Sequence, residues 1–372
     1  PELDSGSKNE TSLKELMQRV VRDKEIEILP ARFEQEYFHW IDNLRDWCIS
    51  RQLWYGHRIP VWYRDQEIYA GIEAPEGDGW EQDPDTLDTW FSSGLWTFST
   101  LGYPAETEDL KTYHPTAVLE TGYDILFFWV ARMILMSGFL LGEVPFKTVY
   151  LHGLVRDEKG RKMSKSLDNA LDPLHLIDQF GTDALRLAMI FGVGVGNDSV
   201  ISSDKVKGMR NFANKLFNIN RFVMMAVEEK GTKSQIINYK SQTTESLPER
   251  EQKLLQQNDE VVNKVTKYMN EYRLSDALQE CYDFVWNTFA SGYMEEIKPV
   301  LISGTEEEKQ GVRWVLMSTL CTQLKLLHPF MPFVTESIYQ EWKEKAPAWA
   351  TKDFLMVEEW PAESLTSNKS VA

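Results

Sequence analysis

Histidine and cysteine are the scarce residues of this 372-residue chain, six of one and three of the other. His39, His57, His114, His152, His175 and His328 lie no closer than eighteen positions apart, which excludes a metal-binding pair on one helix turn and any H-x-G-H loop. Cys48, Cys281 and Cys321 form no C-x-x-C pair, so a thiolate zinc site and a disulfide framework are both excluded. A sparse, odd count fits a reducing, cytoplasmic setting. Positive charge is short as well: 40 Lys and Arg face 57 Asp and Glu, a formal net charge of −17. That excludes a globally basic nucleic-acid surface, since phosphate contacts need Lys and Arg. Only one long hydrophobic run exists, the 18 residues from Ile125 to Gly142, with Arg132 as its single charge. It reaches the lower edge of a membrane span. Asp124 and Glu143 bracket it closely, however, and strand-like segments flank it, so a fully buried helix and no membrane partner are expected.

What is present suffices for two or three ordinary domains, with 42% hydrophobic and 12% aromatic residues. The 13 Trp gather before position 130 and again near the C-terminus, which suggests a deep, aromatic-lined first domain. Pro1 to Glu10 shows no signal-peptide pattern, and Pro1 in place of Met is expected of a processed or excised product. Leu13 to Val21 has helical periodicity and Ile26 to Leu29 reads as a short strand ending at Pro30. From Phe33 to Ile49, apolar residues at Phe33, Tyr37, Trp40, Ile41, Leu44 and Trp47 trace one helical stripe, expected to face a core. Val118 to Thr121 and Thr148 to Leu151 are short β-branched strands on either side of the long apolar run, a βαβ unit with a parallel sheet. Ligands of such sheets lie beyond the strand C-terminal ends, here Gly122 to Asp124 and His152 to Gly153. After Asp204 the pattern is wholly helical, with segments Leu254 to Tyr272, Asp276 to Ile297 and Glu306 to Leu327 forming a bundle. A short extended piece is expected near Phe354 to Val357. The FGVGVGN stretch, Phe191 to Asn197, follows a helical pattern where a dinucleotide fingerprint would follow a strand, so no such cofactor is expected.

Two windows oppose the overall acidity. Arg156, Lys159, Arg161, Lys162 and Lys165 outnumber Asp157 and Glu158, and Lys205, Lys207, Arg210, Lys215 and Arg221 face only Asp204. The first window is a Gly160-containing loop beyond the strand that ends near His152, well placed to reach nucleotide phosphates. Its residues Lys162-Met163-Ser164-Lys165-Ser166 read KMSKS, within VRDEKGRKMSKS and followed by LDPLHLIDQFGTDALRL. This long form resembles the mobile phosphate-handling loop of class I aminoacyl-tRNA synthetases. Further stretches narrow the resemblance to valyl-tRNA synthetases: DWCISRQLWYGHRIPVWY (Asp46 to Tyr63), DPDTLDTWFSSGLWTFST (Asp83 to Thr100), TGYDILFFWVARM (Thr121 to Met133), NFANKLFNINRF (Asn211 to Phe222) and HPFMPFVTE (His328 to Glu336).

The resemblance implies an α/β Rossmann-like parallel-sheet half-domain followed by an all-α anticodon-binding helical bundle. It apportions residues 1–27 to a linker and helix, 28–166 to the C-terminal half of the catalytic domain, 167–204 to a connecting stem-contact fold, 205–345 to the anticodon-binding domain and 346–372 to a tail. The implied reaction joins ATP and valine as valyl-adenylate and then transfers the acyl group to valine tRNA, with Mg²⁺ carried by the nucleotide and no zinc. Carried over residue by residue, Lys165 first and Lys162 second would contact phosphate, with hydroxyls from Ser164 and Ser166. Gly122 and Asp124 would hold the ATP ribose or the amino acid's ammonium, and His152, Gly153 and Leu154 would flank the adenine. Trp90 and Trp129 would wall the valine pocket, and Lys205, Lys207, Arg210, Lys215 and Arg221 would meet tRNA phosphates.

Departures from the family pattern restrict these expectations. KMSKS usually continues L-G-N, whereas this chain has Leu167, Asp168 and Asn169, which adds negative charge near a phosphate site. The H-x-G-H loop that completes the family's site is absent, so the isolated chain is expected to be inactive and to need a separate N-terminal half. A non-catalytic tRNA-binding module is the alternative.

Overall fold

The computed structural model describes residues 12–157, 159–163, 169, 172–227 and 246–361. Contacts divide the chain into two units, Pro1–Gly153 and Leu154–Ala372. The expected catalytic half, 28–166, straddles this division.

The first unit opens on α1 (Leu13–Arg22), where the Ser12 hydroxyl accepts the Glu15 N–H as a cap and Leu13, Leu16, Met17, Val20 and Val21 form one buried face. In chain order follow β1 (Glu27–Leu29), α2 (Arg32–Asp42), β2 (Ser50–Arg51), β3 (Val61–Arg64), β4 (Glu67–Ala70), β5 (Glu81–Gln82) and β6 (Thr86–Leu87). Short helices α3 (Thr89–Ser93), α4 (Trp96–Ser99) and α5 (Glu108–Tyr113) lead to β7 (Thr116–Gly122), a crossover ending in α6 (Ala131–Leu140), and β8 (Phe146–His152). The parallel sheet has the order β1-β8-β7, with Ile28 opposite Val149 and Gly122 opposite His152. Ile28, Val149 and Leu151 pack with Met17, Val20 and Val21 of α1 and with Val130, Met133 and Ile134 of the crossover in one core. Full burial of each such side chain stabilises by about 1.5–3 kcal/mol. The approach of α1 is close at Gly138, where an added Cβ would sit 2.7 Å from Leu16 Cδ2.

Two expectations fail here. The helix read to Ile49 stops at Asp42, and Leu44, Trp47 and Ile49 remain 39%, 42% and 38% exposed. Tertiary bonds compete with the helix: the Trp47 indole donates to the Asp88 carboxylate at 2.9 Å and the Asp88 N–H to the Ile49 carbonyl. The apolar run qualifies by length and composition as a membrane span over Tyr123–Leu140, yet it connects two parallel strands of one sheet. It is not fully buried, since Phe139 is 52% exposed, as a helix lying on a sheet covers one side only. It is also broken, with a 3-10 turn (Tyr123–Ile125) and a π segment (Leu126–Val130) before α6.

The second unit begins with β9 (Val155–Arg156), which pairs in parallel with β10 (Ser199–Val200) across α7 (Pro173–Phe180) and α8 (Thr182–Ile190). Asp172 caps α7, with Pro173 at the first position. Phe191 to Asn197 follows α8 rather than a strand, as expected. The helical bundle comprises α9 (Ser203–Val227), α10 (Glu249–Asn270), α11 (Leu274–Asp283) extended by a π segment (Phe284–Tyr293), α12 (Lys298–Ser303), α13 (Glu306–Leu327) and α14 (Pro332–Lys345). Val206, Phe212, Leu216 and Val223 of α9 join Leu255, Val265, Leu316, Leu320 and Leu324 in its core. Several polar groups inside that core are paired, Gln323 Nε2 donating to Asn258 Oδ1 at 2.9 Å, Trp342 Nε1 to Asn220 Oδ1 at 2.6 Å, and Asn220 Nδ2 to Glu341 Oε2 at 2.7 Å. Asn258 Nδ2 and Gln323 Oε1, by contrast, are buried without a hydrogen bond among the described residues. The Asp183 carboxylate of α8 accepts the Val334 N–H at 2.7 Å and the Phe333 N–H at 3.3 Å, capping α14 from a distant part of the chain. Arg186 donates to the carbonyls of Pro329 and Phe330. The extended piece expected near Phe354 to Val357 is a 3-10 turn, Leu355–Val357, because Glu358 folds back to accept from Thr351, Tyr339 and Lys325.

Candidate functional site

In the first unit the candidate site lies at the C-terminal edge of the sheet. The β7–β8 register sets Gly122 beside His152, and an exposed Asp124 follows on the 3-10 turn. The structure therefore brings Gly122, Asp124, His152 and Gly153 to one edge. His152 Nδ1 lies 2.7 Å from the Gly153 carbonyl and its Nε2 lies 3.3 Å from Glu120 Oε1. Leu154 belongs to the second unit, where its N–H donates to Asp198 Oδ1 at 2.7 Å.

The π segment carries three consecutive aromatic residues, and each meets a different ring. Phe127 stacks on Trp40 at 4.5 Å, Phe128 on Trp90 at 5.5 Å, and Trp129 meets Trp96 at 5.7 Å. Trp129 Nε1 also donates to the Ser93 carbonyl at 3.1 Å, which fixes the indole. Trp90 and Trp129 thus belong to one aromatic layer, linked through Phe128 and helix α3. Beneath it, the Arg132 guanidinium lies 4.5 Å from the Trp47 ring centre and donates to the carbonyls of Phe127 and Phe128 at 3.2 and 3.1 Å. Burial pushes its pKa down from the ordinary value and the nearby Asp88 carboxylate pushes it back up. Asp88 itself pairs with Arg51 at 3.0 Å. Arg132 and Asp88 are site-shaping residues that the sequence reading missed. Their signal was a lone charge inside an aromatic run and an acid two positions before Trp90.

In the second unit Asp157 organises the stem of the lysine loop. Its Oδ1 accepts the backbone N–H of Lys159 at 3.0 Å and of Arg161 at 2.8 Å, while Oδ2 accepts from Arg161 Nε at 2.8 Å and Asn169 Nδ2 at 2.9 Å. These bonds, with that from Asn169 foremost, hold the carboxyl well below the usual carboxylate range against the opposing effect of burial. Gly160, at φ +75°, supplies the left-handed turn between them. Lys162 is exposed, forms an antiparallel bridge with Arg156, and its carbonyl accepts from Asn169 Nδ2 at 3.3 Å. Arg156 pairs with Asp198 and Arg161 with Asp157, so the basic surplus counted from the sequence is smaller than it looks. Ser164, Lys165, Ser166 and Asp168 lie outside the described residues.

The basic residues of α9 divide. At about 100° per residue, Lys207, Arg210 and Arg221 share one flank, while Lys205 and Lys215 fall on others. Lys207 and Arg221 are exposed. Arg210 lies over the Phe180 ring at 5.6 Å and Lys215 over Trp286 at 5.7 Å, and burial lowers the Lys205 pKa. Among the described residues no group of three His, Cys, Asp or Glu is arranged to hold a metal ion.

Comparison with known proteins bears on these features together. The family of class I tRNA synthetases (I, L, M and V) matches residues 9–76 and 72–202, and the anticodon-binding domain of tRNA ligases matches residues 251–371. A valine–tRNA ligase of Clostridium perfringens is 46% identical over 361 residues, covering 94% of this chain and 40% of that protein. The valine–tRNA ligase of Bacillus subtilis is 44% identical over 345 residues, covering 92% and 38%. The chain thus spans about two fifths of the length of the curated relatives it matches. Among solved structures, methionyl-tRNA synthetase of Mycobacterium tuberculosis bound by methionyl-adenylate aligns with a TM-score of 0.67 at 20% identity, covering 92% of this chain and 64% of that one. An Agrobacterium radiobacter leucyl-tRNA synthetase, solved as a ternary complex with tRNA, aligns with a TM-score of 0.64 at 20% identity, covering 86% and 42%. A parallel α/β core, a lysine loop on a short stem and a following helical bundle all agree with that family match, and the chain belongs to the class I tRNA synthetases.

Proposed function

We propose that the chain supplies part of a valine–tRNA ligase: the sheet edge, aromatic layer and lysine loop of its catalytic site together with its anticodon-binding bundle. The observation that carries this reading is the long-form KMSKS stretch, VRDEKGRKMSKS, in a chain alike to valine–tRNA ligases along nearly its whole length. Activation joins the valine carboxylate to the α-phosphorus of ATP and releases pyrophosphate, and the acyl group then passes to the terminal adenosine of the tRNA. Neither step needs a covalent enzyme intermediate, so alignment and charge stabilisation carry the catalysis. In this reading Lys165 and Lys162 contact the phosphates, assisted by Ser164 and Ser166, and Mg²⁺ arrives with ATP. Gly122 and Asp124 hold the ribose or the valine ammonium, and His152, Gly153 and Leu154 border the adenine. Trp90 and Trp129, fixed by Phe128 and the Ser93 carbonyl, bound the valine side chain.

With no H-x-G-H loop among its six histidines, the chain holds only part of the phosphate-binding apparatus. Valine-dependent ATP–pyrophosphate exchange is accordingly expected to be undetectable for the 372-residue chain and to appear when a polypeptide bearing that loop is added. Robust exchange by the chain alone would overturn this. Failure of the mixture, with binding of valine tRNA retained, would leave the non-catalytic binding module.

The exposed pair Lys207 and Arg221 makes the tRNA contact testable. Charge reversal of both is expected to weaken binding of valine tRNA about tenfold and to reduce the slope of log affinity against log salt by about one per lost phosphate contact. Lys215→Glu, on a different flank, serves as the comparison. Equal losses from both replacements would deny the Lys207 and Arg221 flank a special role.

A further inference from the structure

The Asp157 side chain is an unusual investment for a loop stem. It belongs to a residue 8% exposed, and its two oxygens accept from two backbone amides of its own turn, from the Arg161 guanidinium and from the Asn169 amide. The Asn169 Nδ2 is shared, reaching Asp157 Oδ2 at 2.9 Å and the Lys162 carbonyl at 3.3 Å. Lys162 pairs on its other side with Arg156, which in turn is tied to Asp198 next to β10. The backbone of Lys162 is therefore held from two directions, while its side chain stays exposed.

We propose that Asp157 and Asn169 are positioning residues for Lys162: together they fix the height and direction from which its ammonium meets a phosphate. The inference rests on the reading of Lys162 as a phosphate contact. A flexible lysine contributes to transition-state stabilisation in proportion to how little it must be reordered, so a fixed main chain raises the catalytic rate rather than the binding of ATP. Neither Asp157 nor Asn169 is assigned a contact with substrate.

The chemistry of the pair suggests an exchange of partners as the test. In Asn169→Asp two carboxylates face one another and no donor reaches the Lys162 carbonyl. In Asp157→Asn two amide groups meet donor to donor. In the double variant the amide at 157 donates to the carboxylate at 169 and the acceptor for the two backbone amides is retained, which restores the side-chain clasp. The Lys162 carbonyl still has no donor at 169, and Arg161 Nε loses its acceptor at 157. With the H-x-G-H half supplied, each single variant is expected to lower kcat for exchange about fivefold, within the loss expected from removing the Lys162 side chain itself, with KM for ATP changed less than about twofold, and the double variant to recover part of that loss. The isolated chain gives an arm that needs no activity: tryptic cleavage after Lys162 should quicken about tenfold in each single variant and by clearly less in the double, where the side-chain clasp is restored. Equal cleavage rates in all four proteins would overturn the proposal, as would changed cleavage with unchanged kcat. Absence of exchange even in the parent mixture, with the cleavage pattern as described, would fault the ligase reading and leave the Asp157–Asn169 clasp supported.

Discussion

Replacing Lys165 by Ala is expected to lower valine-dependent exchange about 10²–10³-fold when the H-x-G-H half is present, the loss typical of one preorganised charge-stabilising group. The reasoning concerns when the charge appears. In ground-state ATP the phosphate charges are already shared with Mg²⁺ and water, whereas cleavage at the α-phosphorus transfers a new negative charge to the departing pyrophosphate. A group that meets this charge only as it develops affects kcat and leaves KM for ATP nearly unchanged. Lys165→Arg should recover little, because a planar fork cannot occupy the place of a compact ammonium. Lys162→Ala is expected to cost less, about tenfold, as the second of the two cations. A rise in KM at constant kcat would show Lys165 to be a simple binding residue, and a full rate without it would remove the lysine loop from the chemistry.

The largest stability effect is expected in the bundle, at Trp342. Its side chain is among the largest that are fully buried, at 0% exposure, and its indole N–H donates to Asn220, also at 0%. Trp342→Ala combines the lost transfer and cavity terms, about 3–5 kcal/mol, with an orphaned Asn220 acceptor that adds about 1–3 kcal/mol. Trp342→Phe retains most of the volume and isolates the hydrogen-bond part, so it should cost about 1–3 kcal/mol. Urea unfolding followed by far-ultraviolet circular dichroism measures both, provided the change is read from midpoints at constant slope. A loss below about 1 kcal/mol for the Ala variant would mean that the site collapses around the gap, contrary to a close-packed interior.

Some elements were legible in the sequence because their physics is local. β-Branched strands at Val118 and Thr148, separated by an apolar run, could form little other than a parallel crossover unit, and they pair directly in parallel. The bundle helices likewise announce themselves by three- and four-residue spacing. Legibility ended where a residue's partner is distant. The apolar stripe from Phe33 to Trp47 continues past the end of α2, because spacing cannot register that the Trp47 indole is claimed by Asp88, forty-one positions away. For the candidate site the pattern was similar. The lysines stood out as a motif, while Asp157 counted only as one acid among many charges, and its bond to Asn169 exists only in the folded loop stem. Arg132 was legible as a charge but not as the cation beneath an aromatic layer.

The bond from Asp183 to the first amides of α14, with Arg186 on the carbonyls just before them, has a consequence for dissecting the molecule. Helix α8 lies only a few turns of chain beyond the lysine loop, yet the groups that satisfy its two charges sit near the far end of the sequence. A fragment that keeps the loop but ends ahead of α14 would leave the buried Asp183 carboxylate without its backbone donors. A piece of the second unit that keeps both charges of α8 satisfied, with the receiving helix intact, therefore extends through Lys345. Genetic or proteolytic trimming of the bundle ahead of α14 would register at α8, some 150 positions earlier in the chain.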